Sequence, residues 1–129
     1  MKIVEFYGVK MWYRDGELHR EDGPAIEEAD GTKMWYRDGK PHREGAPAIE
    51  WADGSRAWFR NGKLHREDGP AVEEANGKKE WYQNGNLHRL DGPAVEDADG
   101  SKEWYLDGKF VKKIWVQKEK KNDKNMRIH

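Results

Sequence analysis

Four histidines, His19, His42, His65 and His88, are each followed by an arginine and, within three residues, by Asp or Glu. Imidazole beside a carboxylate is the material of general bases and of zinc sites. Their spacing argues against both roles. The four stand 23 residues apart, and with neighbouring strands ~4.8 Å apart, two or three strands per copy would separate successive histidines by roughly 10 to 14 Å. A Zn–N bond is only ~2.0 to 2.1 Å long. Catalysis also depends on one asymmetric constellation, whereas His, Asp and Glu are copied along this chain as a framework would be. The expectation is a histidine stacked on a facing tryptophan and hydrogen-bonded locally, in a protein that is not an enzyme and takes no metal and no cofactor. Thr32, Ser55 and Ser101, the chain's hydroxyl candidates for a nucleophile, each follow a turn glycine and read as turn chemistry. The Asp-Gly clusters lack the spaced carboxylates of a Ca²⁺ loop.

What positions these residues is a repeat. Trp12, Trp35, Trp58, Trp81 and Trp104 form one column, each followed by an aromatic residue. Asp15-Gly16, Asp38-Gly39, Asn61-Gly62, Asn84-Gly85 and Asp107-Gly108 form another, and a second Asp/Asn-Gly series runs through 30-31, 53-54, 76-77 and 99-100. Such self-similarity marks a stacked array whose units bury their apolar faces only against neighbours. Asn-Gly and Asp-Gly are the strongest short hairpin signals, because a type I′ turn needs positive φ at both central residues.

Treating every such pair as a two-residue loop predicts a register. Around Asp30-Gly31 it sets Ala29 opposite Thr32, Glu28 opposite Lys33, Ile26 opposite Trp35 and Ala25 opposite Tyr36. Elsewhere it pairs Glu74 with Lys79 and Asp97 with Lys102, and makes a cation–π pair of Trp51 and Arg56. It also opposes Glu73 to Glu80 and Glu96 to Glu103. Around Asp38-Gly39 it sets Trp35 opposite His42 and Tyr36 opposite Pro41. Alternation then puts Ile or Val with Trp and His on one face, and Ala with the second aromatic and Leu on the other. Asp22-Gly23-Pro24, Asp68-Gly69-Pro70 and Asp91-Gly92-Pro93 should break the strands. Gly45-Ala46-Pro47 replaces them in the second copy. The expected fold is all-β: an elongated, twisted antiparallel meander of tandem 23-residue hairpin repeats, with two or three strands each.

A hydrophobic fraction of 35%, against the ~45 to 50% usual for globular chains, predicts a thin core. Without cysteine, stability rests on packing and hydrogen bonds. One repeat domain is expected over 1–116. Residues 1–7 serve as an N-terminal cap, copies span 8–30, 31–53, 54–76, 77–99 and an incomplete 100–109, and 110–116 form a C-terminal cap. Ile3, Val4, Phe6 and Tyr7 should cover the first copy, and Phe110, Val111, Ile114, Trp115 and Val116 the last. Residues 117–129 read as a disordered basic tail. From residue 109 onward there are eight Lys/Arg against two Asp/Glu, so the repeat body is acidic and its end basic. That disfavours nucleic-acid binding by the body. No segment has the length of a membrane span, and the start lacks the apolar run of a signal peptide, so a cytoplasmic location is expected.

The pattern Gly-x-x-x-Trp-Tyr-x-Asp/Asn-Gly-x-x-His-Arg-x-Asp-Gly-Pro-Ala resembles the MORN-type repeats, in the divergent variant of bacteria, phages and large viruses. The resemblance covers about residues 8 to 110 and implies hairpins stacked into an extended sheet. It also implies scaffolding, lipid contact or an antitoxin-like role, often in phage genomes. The His-Arg-x-Asp-Gly-Pro-Ala stretch lies outside the usual MORN consensus, which implies a different curvature or a third short strand in each copy.

In a repeat, the informative residues are those that leave their columns. Pro41, Gly45, Ala46, Trp51 and Arg56 do so in the middle of the chain, and aromatics and Arg are the usual anchors of protein interfaces. The expected function is a protein–protein interaction module, a phage or bacterial inhibitor or scaffold that binds a host protein through an acidic sheet surface. Pro41, Trp51 and Arg56 are its candidate binding residues. Alternatives are choline or glycan binding by the aromatic columns, and lipid or nucleic-acid contact through the basic tail. Open sheet edges also predict homo-oligomers.

Overall fold

A computed structural model describes residues 1–116; the tail expected at 117–129 lies outside them. The chain is all-β. It opens with β1 (Lys2–Phe6), β2 (Val9–Arg14) and β3 (Glu17–Leu18), followed by four two-residue strands, β4 (Ile26–Glu27), β5 (Lys33–Met34), β6 (Tyr36–Arg37) and β7 (Lys40–Pro41). The same four recur as β8 (Ile49–Glu50), β9 (Arg56–Ala57), β10 (Phe59–Arg60) and β11 (Lys63–Leu64). They recur again as β12 (Val72–Glu73), β13 (Lys79–Glu80), β14 (Tyr82–Gln83) and β15 (Asn86–Leu87). The chain closes with β16 (Val95–Glu96), β17 (Lys102–Leu106) and β18 (Lys109–Ile114). A full copy thus has four short strands where two or three were expected. Two of each four join an open antiparallel meander, in the order β1-β2-β4-β5-β8-β9-β12-β13-β16-β17-β18. The others form side hairpins, β6-β7, β10-β11 and β14-β15.

The two series of Asp/Asn-Gly turns are different. At Asp15, Asp38, Asn61, Asn84 and Asp107 both turn residues have positive φ, near 50° and then near 80°. These are the expected type I′ turns, and they pair Tyr36 with Pro41 as anticipated. At Asp30-Gly31 only the glycine is left-handed, with φ 98°. The Gly31 N–H reaches the Glu28 carbonyl at 3.0 Å, and the Glu28 N–H reaches the Thr32 carbonyl at 2.8 Å. That is a three-residue loop, a type I turn closed by a left-handed glycine.

The extra loop residue shifts the expected register by one and changes which residues meet. Ile26 lies opposite Met34, not Trp35, and Glu27, not Glu28, lies opposite Lys33. Trp51 and Arg56 are not a pair either: Arg56 lies opposite Glu50. The feared opposition of Glu73 to Glu80 and Glu96 to Glu103 is absent, because the two glutamates Glu80 and Glu103 face Val72 and Val95. One row across the sheet now reads Glu5, Lys10, Glu27, Lys33, Glu50, Arg56, Glu73, Lys79, Glu96, Lys102. Charge alternates at every step, so every residue between Glu5 and Lys102 has an opposite charge on both sides, and the slip by one residue would set Glu73 against Glu80 and Glu96 against Glu103. The expected sorting of faces changes with it. Glu27 takes a hydrogen bond from Arg20, whose guanidinium lies over Trp12, so the charge row and the tryptophans share a face. Ile26 and Met34 lie in the neighbouring row, which alternation turns to the opposite face.

The core is as thin as the composition implied. Its most buried members are Ala25, Ala48, Ala71 and Ala94, which precede β4, β8, β12 and β16, together with His19, Thr32, Ala57 and Ser101. The caps act differently from expectation. β1 and β18 close the meander by hydrogen bonding, but Ile3, Phe6, Tyr7, Phe110, Val111, Ile114 and Trp115 stay exposed instead of covering the end copies. Among the described residues no helix is long and apolar enough to cross a membrane.

The three-residue loops carry a pH signature. Asp30 and Asp53 sit below the ordinary carboxylate value, chiefly because each accepts the backbone N–H two residues on, from Thr32 at 2.9 Å and Ser55 at 2.8 Å. A carboxyl held below its unfolded value adds stability above that value and loses it as pH falls through the folded one. The double variant Asp30→Asn, Asp53→Asn should therefore lose less stability than the parent between about pH 5 and pH 2. Urea midpoints across that range decide it, and parallel decline in both proteins would refute it.

Candidate interaction surface

Each full copy folds one arginine inward. Arg20, Arg43, Arg66 and Arg89 stack on Trp12, Trp35, Trp58 and Trp81 at 3.9, 3.7, 3.8 and 3.9 Å from the ring centres. The same guanidinium donates to the carbonyl of the following proline and to the glutamate of the charge row, as Arg66 does to Pro70 at 3.0 Å and Glu73 at 3.2 Å. Three of the four arginines also hold an aspartate through Nε, Asp22, Asp68 and Asp91. A Cβ on Gly69 would come within 2.9 Å of the Arg66 guanidinium carbon, so a side chain there requires the guanidinium to shift. In the second copy Ala46 fills that place. The loop there turns on Gly45 instead, with φ 75°, and having glycine where the others have Asp it leaves Arg43 without an Nε carboxylate.

The histidines are bolts between copies. The backbone N–H groups of Asp38, Asn61, Asn84 and Asp107 donate to Nδ1 of His19, His42, His65 and His88 at 2.9 to 3.0 Å. Accepting at Nδ1 leaves the proton of a neutral ring on Nε2, which faces Glu21, Glu44 and Glu67 in the first three copies. Leu90 stands in the fourth, and His88 has no such carboxylate. Hydroxyls bolt the opposite edge. Thr32 Oγ1 accepts the Ala52 N–H, Ser55 Oγ the Ala75 N–H and Ser101 Oγ the Val116 N–H. Among the described residues no group of three or more His, Cys, Asp or Glu is placed to hold a metal ion.

Carboxylates are left facing solvent. Glu21, Asp22, Glu44, Glu67, Asp68 and Asp91 have side chains between 68% and 88% exposed, whereas the four stacked arginines are between 22% and 30% exposed. These acidic residues recur along one edge of the array, around grooves lined by Trp35, Trp58 and Trp81. On the other face Tyr82 and Tyr105 have phenols pushed up by burial and, next, by the neighbouring Glu80 and Glu103.

The three odd residues do not gather into one patch. Pro41 lies in a side hairpin opposite Tyr36, while Trp51 sits at the mouth of a three-residue loop at the far end of the strands. Arg56 is held by Glu73 at 2.6 Å, and its guanidinium lies 5.8 Å from the Trp58 ring. Of the five column tryptophans four are capped by Arg, and Trp104 by Lys112 at 4.6 Å. Sequence reasoning missed the exposed acidic row and the stacked arginines. Their signal was present as an Arg eight residues after each of four column tryptophans, with Glu or Asp one or two positions on. The chain matches no protein-family model and no curated protein sequence.

Proposed function

We propose that the chain is a non-catalytic protein-interaction module, an inhibitor or scaffold that binds a basic partner protein through its row of outward carboxylates. One observation carries this reading: the arginine that follows each histidine lies against tryptophan, while the carboxylates around it, Glu21, Asp22, Glu44, Glu67, Asp68 and Asp91, face solvent. Complementary charge of this kind mainly speeds encounter and rejects wrong partners. Kinship with the divergent MORN repeats, a phage or bacterial host and a cytoplasmic location belong to the same proposal and rest on the repeat pattern alone. Ligand binding by the tryptophan columns finds less support, because a guanidinium already takes one face of four of these rings.

The test compares the full chain with a variant in which the six outward residues become Gln or Asn, in pull-downs from bacterial lysate. Partners of basic surface should be retained by the parent, released between roughly 50 and 300 mM salt, and lost from the variant. Identical partner sets on both proteins would overturn the acidic surface. Trp51→Ala and Arg56→Ala, run alongside, report whether the odd residues add to it.

A further inference from the structure

We propose that β1 is the joint of a two-fold homodimer, in which it pairs antiparallel with β1 of a second copy. On one side β1 is bonded to β2; on the other, among the described residues, no strand pairs with it. The turn decides which groups that open side presents. Tyr7 and Gly8, with φ 51° and 80°, form a type I′ pair, so the flanking Phe6 and Val9 exchange both backbone hydrogen bonds. Positions then alternate. Phe6, Val4 and Lys2 aim N–H and C=O at β2, and Glu5 and Ile3 aim theirs outward.

An antiparallel mate must meet those outward groups with outward groups of its own. The two-fold register centred on Val4 does so: Ile3 of each copy faces Glu5 of the other, and Val4 faces Val4. Each Ile3–Glu5 pair exchanges two backbone hydrogen bonds, closing the open edge on both copies. The side chains agree. Phe6, 63% exposed, comes opposite Lys2 of the second copy, on the same face as the groove lined by Met1, Lys2, Val4 and Tyr13. Each copy therefore offers a protruding ring and a receptacle for one.

The far end of the meander is guarded against the same event. β18 carries Lys109, Lys112 and Lys113, and self-pairing there would crowd cations that edge strands use to repel mates. Head-to-tail stacking is also disfavoured. The antiparallel alternation of the meander leaves β1 and β18 running in the same direction, so a copy stacked on with its faces the same way round would pair them in parallel, the weaker arrangement.

Because the chain has no cysteine, Val4→Cys would place one thiol per copy at the two-fold axis. Non-hydrogen-bonded partners have Cα atoms ~4.5 Å apart, inside the ~4.4 to 6.8 Å that a disulfide spans. Oxidised full-length V4C should give a covalent dimer at least ten-fold faster than V111C at the other edge. Light scattering of the parent should show a dimer mass, and Phe6→Ala should weaken the dimer at least ten-fold. Ile3→Pro should do the same, since the ring removes an outward N–H and leaves the β1–β2 ladder whole. A monomer mass at about 100 µM, equal cross-linking of V4C and V111C, or a dimer that F6A does not weaken would each overturn the proposal. If I3P fails to fold, the cross-linking comparison still decides.

Discussion

Trp58→Ala should destabilise the protein by about 3 kcal/mol, the largest loss expected from any single side chain. The ring has Arg66 stacked on it at 3.8 Å, and its backbone carries the ladder through an N–H bond to Ala71 and a carbonyl bond from His65. Truncation removes the stacked surface and leaves Arg66 over a void while Asp68, Glu73 and Pro70 still hold it. In an array whose units lean only on neighbours, a weak middle copy should also split one unfolding transition into two. Trp104→Ala is the contrast, because its ring is capped by Lys112 at 4.6 Å near the end of the array. Urea unfolding followed by circular dichroism reads both, and equal losses at Trp58 and Trp104 would contradict the stacking account.

His65→Ala should cost about 2 to 3 kcal/mol, and His88→Ala only about 1 kcal/mol. His65 is nearly buried and bonded at both nitrogens, to the Asn84 N–H at 3.0 Å and to Glu67 at 2.7 Å. Removing it takes away a part-buried ring bonded at both nitrogens and leaves the Asn84 N–H without its acceptor. His88 keeps only the Asp107 bond and is more open, its side chain 18% exposed. The ratio between the two variants is the informative quantity. A functional role unrelated to folding would leave both melts unchanged.

The hairpins were legible because each rests on a local rule repeated several times, an Asp-Gly or Asn-Gly pair at a fixed spacing. The loop at Asp30-Gly31 was not, because its dipeptide is the same as at Asp38-Gly39 while the loop there holds three residues. What separates them is the Thr32 N–H, which Asp30 can reach only when the chain turns after Ala29. The wrong register survived one check because Glu27 and Glu28 are both acidic, and either would satisfy Lys33. The like-charged pair it forced, Glu73 with Glu80, was the better signal, and the true ladder removes it. The outward acidic row was illegible for another reason. Composition says how many carboxylates there are, but only the folded contacts, such as Arg66 on Trp58, say which charges are withdrawn and which remain outside.

Inside the array the histidine bolts reach 19 positions on and the Thr32 and Ser55 bolts 20, and the ladder steps there recur after 23. Cutting out one such length of chain and splicing the ends would bring the next copy into the vacated place, with the same acceptors waiting for the same donors. Gene-level loss or gain of a unit can therefore shorten or lengthen the protein without designing a new contact, and the number of outward carboxylates would change in proportion.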